Sequence, residues 1–481
     1  MVSAWLLVAL VLAAPPNVES DYYRIVKLPV PKSLVFEVSG LDTLDDGRLI
    51  AATRKGEVWI VDGAYGDPPT DVKYQRFAEA LHEPLGLLRE GDASYVVQRG
   101  ELTRIRDVDS DGRADEYLRV ADNWGVTGNY HGYAYGPERD AAGNLWITLN
   151  VPIGKRPLAD DRWRGWGMIV TPQGKLEPMC AGMRSPCGLG ANLAGDVFYT
   201  DQQGNWIPTC TLSLLERGAF YGHADSLKSC GLPGSPIADP GTLPSGKTVV
   251  EVAKLMPNYR LPAVWFPYRK AGMSATDVLC DTTRGGFGPF AGQIFVGDFT
   301  TSSVLRVFVE RVGGRYQGAC FRFRAGFQCA VFRMTWGRDG SLFVGETNRG
   351  WNSVGTSSYG LERVVWTKKT PFEVKEMRVR PNGFELEMTR AVDHASAVSI
   401  ASYEMTSYTY RYHSTYGSPE IDKKTLTIEG VEIAADGKTM RLSIDGLREG
   451  YVHELSLAGV RSSSGEPVLH ANGYYTLNRL P

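Results

Sequence analysis

The 481-residue chain has almost no net charge: 52 Lys and Arg stand against 54 Asp and Glu, leaving −2. That balance gives no reason to expect a nucleic-acid or acidic-polymer partner. Charged residues make up only 22% of the chain. Long apolar runs are also scarce. The run from Trp5 to Ala14 is too short for a spanning helix, and no later segment could cross a membrane. With small residues at Ala13, Ala14 and Ser20, residues 1–20 read as an export signal peptide. Its start lacks Lys and Arg, and a buried N-terminal strand is the alternative. The expected location is therefore secreted or periplasmic.

Cysteine is sparse. Cys180, Cys187, Cys210, Cys230, Cys280, Cys320 and Cys329 all lie mid-chain. Export would permit disulfides, and Cys180/Cys187, Cys210/Cys230 and Cys320/Cys329 are close enough in sequence to pair. The odd count leaves a thiol over. No C-x-x-C occurs, which argues against a zinc ribbon. No C-x-x-C-H occurs, which excludes a c-type haem attachment site.

What is abundant is glycine, 54 residues, and aromatics, at 11%. That mixture suits short strands and tight turns. The length exceeds one ordinary core, so two domains are expected unless one is large. One phrase recurs, a Gly-containing turn followed by an apolar strand. It reads Asp46-Gly47-Arg48-Leu49-Ile50-Ala51-Ala52, Ser94-Tyr95-Val96-Val97 and Gly143-Asn144-Leu145-Trp146-Ile147-Thr148. It continues as Gly195-Asp196-Val197-Phe198-Tyr199-Thr200, Gly292-Gln293-Ile294-Phe295-Val296-Gly297 and Asp339-Gly340-Ser341-Leu342-Phe343-Val344-Gly345. A spacing of about 50 residues, doubled once, marks propeller blades or a solenoid. The copies predict an all-β fold: a six-bladed β-propeller over 21–366, with an inserted loop near 207–262. After Trp366 the phrase stops. Short alternating strands over 367–481 predict a small immunoglobulin-like β-sandwich.

In a propeller, the innermost strands line a channel. The segment upstream of each phrase supplies His82-Glu83, His131, Arg184-Ser185, Ser274 and Arg333 to one cavity. Only three of seven histidines, His82, His131 and His223, fall in the propeller. A histidine titrating near neutrality suits proton abstraction from an alcohol or hemiacetal, and arginine suits an anionic cofactor or developing negative charge. Capping of strand ends is the alternative role for each histidine. The loop Asp107-Val108-Asp109-Ser110-Asp111-Gly112 follows D-x-D-x-D-G, the pattern that wraps a hard cation. Asp107, Asp109 and Asp111, closed by Asp115 or Glu116, are the candidate Ca²⁺ ligands, with a structural role.

Several of these residues resemble one family. Gly182-Met183-Arg184-Ser185-Pro186-Cys187-Gly188 is similar to G-x-R-N-P-x-G of the soluble quinoprotein glucose/sorbosone dehydrogenases. Tyr130-His131-Gly132, Gly218-Ala219-Phe220-Tyr221-Gly222-His223 and Arg333 with Gly337-Arg338-Asp339-Gly340 resemble further family segments. The likeness covers residues 35–366 and is nearer still to propellers of planctomycetes and related bacteria described as membrane-bound dehydrogenases. It implies pyrroloquinoline quinone (PQQ) and Ca²⁺ as cofactors, a sugar substrate and an external electron acceptor such as a cytochrome. His131 would be the base. Arg184 and Arg333 would hold the cofactor, with Ser185, Tyr221 and Ser274 beside it and His223 as a further catalytic candidate. His82, Glu83, Tyr130, Asp201 and Trp351 are the candidate substrate contacts. The chain departs from the family at Ser185, at Asp298-Phe299-Thr300-Thr301, which has no lysine, and at Asp201-Gln202-Gln203-Gly204. Two other functions share the channel: a carbohydrate-binding or surface-interaction propeller without catalysis, and a Ca²⁺-dependent hydrolase or lyase using His131 or His223 with Asp201.

Overall fold

The structure, a computed structural model, describes residues 18–154 and 160–481. The apolar run Trp5–Ala14 lies outside those residues. The described chain is all-β apart from short helical turns, and most of it is a β-propeller. Each repeated phrase is the second strand of an antiparallel sheet, four-stranded in every case but the fifth, whose four strands run on into the C-terminal residues: Leu49–Thr53, Ala93–Val97, Leu145–Leu149, Val197–Asp201, Ile294–Asp298 and Leu342–Thr347. In all six sheets the turn before that strand holds a positive-φ glycine, namely Gly47, Gly91, Gly143, Gly195, Gly292 and Gly340. Only glycine takes that backbone without strain, which is why the phrase carries it.

The first strands of the sheets pack side by side in chain order: Val38–Thr43, Leu87–Glu90, Ala134–Arg139, Leu189–Ala191, Ala275–Cys280 and Val331–Trp336. The last packs against the first, so the sheets form a closed ring. The sixth sheet takes its outermost strand from the other end of the chain. Tyr23–Lys27 pairs with Tyr359–Trp366, Tyr23 opposite Trp366 and Lys27 opposite Glu362.

The expected loop at 207–262 is only partly a loop. Cys210–Leu214 is the third strand of the fourth sheet, because its Thr-Leu-Ser-Leu alternation pairs with Val197–Asp201. The insertion proper follows it and carries a helix, Val249–Leu255, whose Thr248 and Glu251 cap each other's backbone N–H groups.

The C-terminal residues build two four-stranded layers. One orders Val374–Arg380, Gly383–Met388, Thr439–Asp445 and Thr427–Ile433; the other orders Asn472–Leu477, Tyr451–Ser456, Glu404–Thr409 and Ile421–Thr425. Met377, Leu386 and Leu442 of the first share a buried core with Met405, Leu455 and Tyr475 of the second. The second layer continues the fifth propeller sheet, with Gly318 of Arg315–Ala325 opposite Thr476 and Cys320 opposite Tyr474. Arg315–Ala325 is unusually long for this propeller, and its free edge is capped by the added strand. All seven cysteines are buried thiols, and none of the three expected pairs is formed.

A buried ion network ties both ends of the chain to the ring. His470 Nδ1 lies 2.6 Å from Glu373 Oε1, and its Nε2 lies 3.0 Å from Glu19 Oε1. Glu19 also accepts from the Ala325 N–H at 2.8 Å and pairs with Arg324. Burial alone would lower the His470 pKa, but the Glu373 and Glu19 carboxylates outweigh it and push it up to about 9. A raised histidine stabilises the fold fully below its unfolded value and loses that contribution as pH climbs through the folded one. Wild-type melting temperature is therefore expected to fall between about pH 6.5 and 9. His470→Gln should flatten that decline. Parallel melting curves with the same slope in this window would contradict it.

Candidate functional site

Strand alternation puts two sets of loops on one face of the ring: those leading into the first strands and those joining second to third strands. The first set brings Glu83, His131, Arg184 and Ser274. The second brings Arg54, Arg99, Asn150, Asp201, Asp298 and Asn348, each the residue that ends or follows a repeated phrase. In three sheets this residue pins the lead-in loop of its own sheet. Asp201 accepts from the N–H groups of Arg184 (2.8 Å), Ser185 (2.7 Å) and Gln202 (2.8 Å). Asp298 accepts from Met273 (2.7 Å) and Ser274 (2.8 Å), and Asn348 Oδ1 from Ala330 (3.2 Å). Burial pushes the Asp201 carboxyl up to about 6 against those bonds.

His131 lies on this face within electrostatic reach of Arg54, Arg99 and Arg184. Its backbone N–H is held by Asn129 Oδ1 at 2.9 Å, and its half-buried imidazole stands edge-on to Tyr130, 5.2 Å between centroids. The ring has no hydrogen-bond partner among the described residues. Burial lowers its pKa, and the guanidinium charges of Arg184, Arg99 and Arg54 lower it further. The imidazole is therefore neutral at pH 7 and free to accept a proton.

Arg54 and Arg99 were not foreseen from the sequence. Both clasp Glu83, Arg99 Nε at 2.5 Å, and both lie about 5 Å from the Tyr133 ring centre, at 5.2 and 5.0 Å. Glu83 takes a positive φ of 48° to reach them. Arg99 also donates to the carbonyls of Asn129 (3.0 Å) and Tyr130 (2.7 Å), and Arg164 to those of Gly132 (3.1 Å) and Tyr133 (3.0 Å). These bonds fix the His131 loop. Buried beside it, Asn150 Oδ1 has no partner among the described residues.

Arg184 differs from Arg54 and Arg99. No carboxylate lies within ion-pair range among the described residues, and its side-chain bond is to Ser185 Oγ at 3.3 Å. It packs on Gly204, where a Cβ would fall 1.9 Å from Nε. Three guanidiniums thus face His131 with one carboxylate, Glu83, among them.

No protein-family profile matches the chain, and no curated protein matches it. Solved structures do. An oxidoreductase (glucose dehydrogenase) from Thermus thermophilus aligns with TM-score 0.51 at 19% identity, over 71% of this chain and 100% of that one. The holo PQQ domain of a pyranose dehydrogenase from Coprinopsis cinerea aligns at 0.50 and 11% identity, over 71% of this chain and 95% of that one. The chain has the sugar-dehydrogenase propeller fold. At these identities the likeness concerns the fold.

Within this propeller the sequence candidates separate. Arg333 does not face the mouth as a free cation. It is buried in the channel and donates to the carbonyls of Ser39 (3.1 Å), Leu85 (2.9 Å), Cys187 (3.2 Å) and Phe332 (2.8 Å), with Asp277 3.8 Å away. It joins lead-in segments of several sheets on the axis. Beyond it the channel holds a cavity of about 210 Å³ lined by Asp42, Glu138 and Asp277. Burial, then the Asp277 charge, pushes Glu138 up to about 8.

Tyr221 also turns from the mouth, since its hydroxyl donates to the Leu214 carbonyl and accepts from the Glu216 N–H. His223 is a cap: its buried Nδ1 accepts from the Asp225 N–H at 3.3 Å, and burial lowers its pKa to about 4. With Asp201 held by three backbone donors, neither is free for hydrolytic acid–base work. Ser274 lies in a lead-in loop, His82 is exposed, and Tyr130 and Trp351 are exposed on the rim, Trp351 by 66%.

The acidic loop joins Leu102–Arg106 to Glu116–Ala121, third strand to fourth, and so lies on the opposite face. Asp107, Asp109 and Asp115 bring carboxylate oxygens within 4.8 Å of one another. Asp111 and Glu116 do not join them. Asp111 accepts from the Arg113 N–H, and Glu116 pairs with Arg104 at 3.0 Å.

Proposed function

We propose that this chain is an exported sugar or alcohol oxidoreductase, acting at the mouth of a six-bladed propeller that carries an immunoglobulin-like sandwich. The single observation behind the reading is the neutral, unbonded imidazole of His131 among three guanidiniums, one of which, Arg184, has no carboxylate within ion-pair range among the described residues. A substrate hydroxyl bonded to a ring nitrogen of His131 gives up its proton there. The positive field of Arg54, Arg99 and Arg184 lowers the energy of the negative oxygen that forms. Glu83 holds Arg54 and Arg99 in place and keeps the field from being excessive. Tyr130 and Trp351 on the rim offer apolar faces to a sugar ring.

The mouth fits a polyanionic cofactor in its charge and in its orphaned polar atom, Asn150 Oδ1. Arg184, Ser185 and Ser274 would hold PQQ, whose quinone accepts the hydride in this chemistry. An external acceptor such as a cytochrome would take up the electrons. Ca²⁺ belongs in this reading on Asp107, Asp109 and Asp115, where no Lys or Arg within ion-pair range balances the carboxylates among the described residues. Its position on the far face makes it a structural ion.

Reconstitution tests both parts. Protein given PQQ and Ca²⁺ should reduce an artificial acceptor when aldoses are added, and Arg184→Ala should lose quinone binding. Asp109→Asn should lose the Ca²⁺-dependent gain in melting temperature while still binding quinone; a ligand at a hundred times its Kd adds about 2.7 kcal/mol. Absence of any quinone spectral change on titration would sink the cofactor assignment. A propeller that binds sugars without turning them over is the second reading, favoured by the exposed aromatic rim. It predicts sugar retention that survives His131→Ala.

A further inference from the structure

The C-terminal sandwich does more than cap a sheet edge. The loop between Glu404–Thr409 and Ile421–Thr425 runs back across the propeller and straps the mouth loop of the fourth sheet. The Gly417 N–H donates to the Gly204 carbonyl at 3.0 Å, and Ser418 to Pro208 at 2.9 Å. From the other side, Trp206 donates to the His413 carbonyl at 3.0 Å, and Asn205 Nδ2 to the Ser414 carbonyl at 2.6 Å. Tyr412 packs on Trp206, 4.9 Å between ring centres, and bonds the Gly222 carbonyl at 2.6 Å. Gly417 has φ +64°, and a Cβ there would press on Gln203, so the strap has little freedom at its tip.

At that tip stands Tyr416. Its ring lies 5.4 Å from the Arg184 guanidinium carbon, yet the residue is 59% exposed. An isolated exposed aromatic needs no explanation. This one is clamped by a rigid strap over the mouth arginine that lacks a carboxylate partner. Tyrosine in that setting offers a flat apolar face beside a hydrogen-bonding cation, the pairing that suits a pyranose, with C–H groups on its faces and hydroxyls at its edge.

We propose that Tyr416, supplied by the C-terminal sandwich, is a sugar-stacking residue of the mouth, so that the substrate site is built from both domains. The inference rests on the oxidoreductase reading for its substrate class. Tyr416 makes no bond to a reacting atom; it positions the ring while Arg184 meets its hydroxyls.

The test is aldose binding to the full chain, followed by saturation-transfer NMR and calorimetry, for wild type, Tyr416→Ala and Tyr416→Phe. Stacking predicts about a tenfold weaker Kd for Tyr416→Ala and a near wild-type value for Tyr416→Phe. Under turnover the loss should fall on KM rather than kcat. Melting temperatures of all three should agree, since the side chain is exposed. Equal or tighter binding by Tyr416→Ala would overturn the inference, because the ring would then merely cover Arg184. If wild type binds no aldose at all, the oxidoreductase reading fails and this inference falls with it. If wild type binds and the alanine variant matches it, only the stacking role fails.

Discussion

His131→Asn is expected to lower kcat for aldose oxidation by roughly 10²–10⁴-fold with little change in melting temperature. Asparagine keeps a polar side chain of similar reach but cannot take up a proton. The wild-type pH profile carries the same information. Burial and three arginine charges lower the His131 pKa below its ordinary 6.5. The base is active when deprotonated, so the rate should rise with pH, with the midpoint of the rise below 6.5 rather than above it. Arg99→Gln removes one of the charges, and the rising limb should move to higher pH. A profile that levels off well above neutrality would show that another group is the base.

Arg333→Leu is expected to have the largest effect on stability. Its guanidinium is the one cation bonded to carbonyls from the first, second and fourth sheets at once among the described residues, and it faces Asp277 of the fifth. Removing it leaves Asp277 buried without its partner. Breaking a buried pair from one side costs about 3–5 kcal/mol. Burial already pushes the Asp277 carboxyl up to about 6, with Arg333 as the leading opposing influence, so the variant should also hold that carboxyl protonated to higher pH. Arg333→Lys should recover little, because one ammonium cannot span the separate acceptors. Denaturant unfolding gives the answer. If Arg333→Leu unfolds like wild type yet loses quinone binding, the residue serves the cofactor and not the ring.

The contrast between Arg333 and Arg184 shows where the sequence is legible. Both stand near the start of a first strand, and both resemble family arginines. Nothing local distinguishes them. Arg184 packs over Gly204 beneath the Tyr416 ring, whereas Arg333 points along the axis into carbonyls from segments more than 140 residues away. Such partners are set by closure of the ring.

The repeats themselves were readable, because each sheet repeats the same turn before the same buried strand. The place of His131 in a lead-in loop was readable for the same reason, being one strand upstream of a phrase. Arg54 and Arg99 do carry a local signal: each comes just after a repeated phrase, where the remaining sheets place Asn150, Asp201, Asp298 and Asn348. The polar residue after each phrase marks the mouth.

Other features left no local trace. Nothing local in Asn472–Leu477 names its neighbour, and the union with Arg315–Ala325 joins residues some 150 positions apart. The strap at 410–420 is likewise invisible, since only the folded hairpin brings Tyr416 to Arg184. In the D-x-D-x-D-G loop Asp107, Asp109 and Asp115 converge, whereas Asp111 and Glu116 do not. Its backbone takes Asp111 as a cap, and the neighbouring strand's arginines take Glu116.

The most direct measurement is anaerobic single-turnover absorbance of PQQ-loaded protein mixed with excess aldose, for wild type and His131→Asn. The account predicts that wild type reduces its bound quinone. The variant should bind the quinone with an unchanged spectrum and reduce it at least a hundredfold more slowly, as loss of a general base requires. Equal reduction rates in the two proteins would contradict the assignment of His131, and with it the chemistry placed at the mouth of the ring.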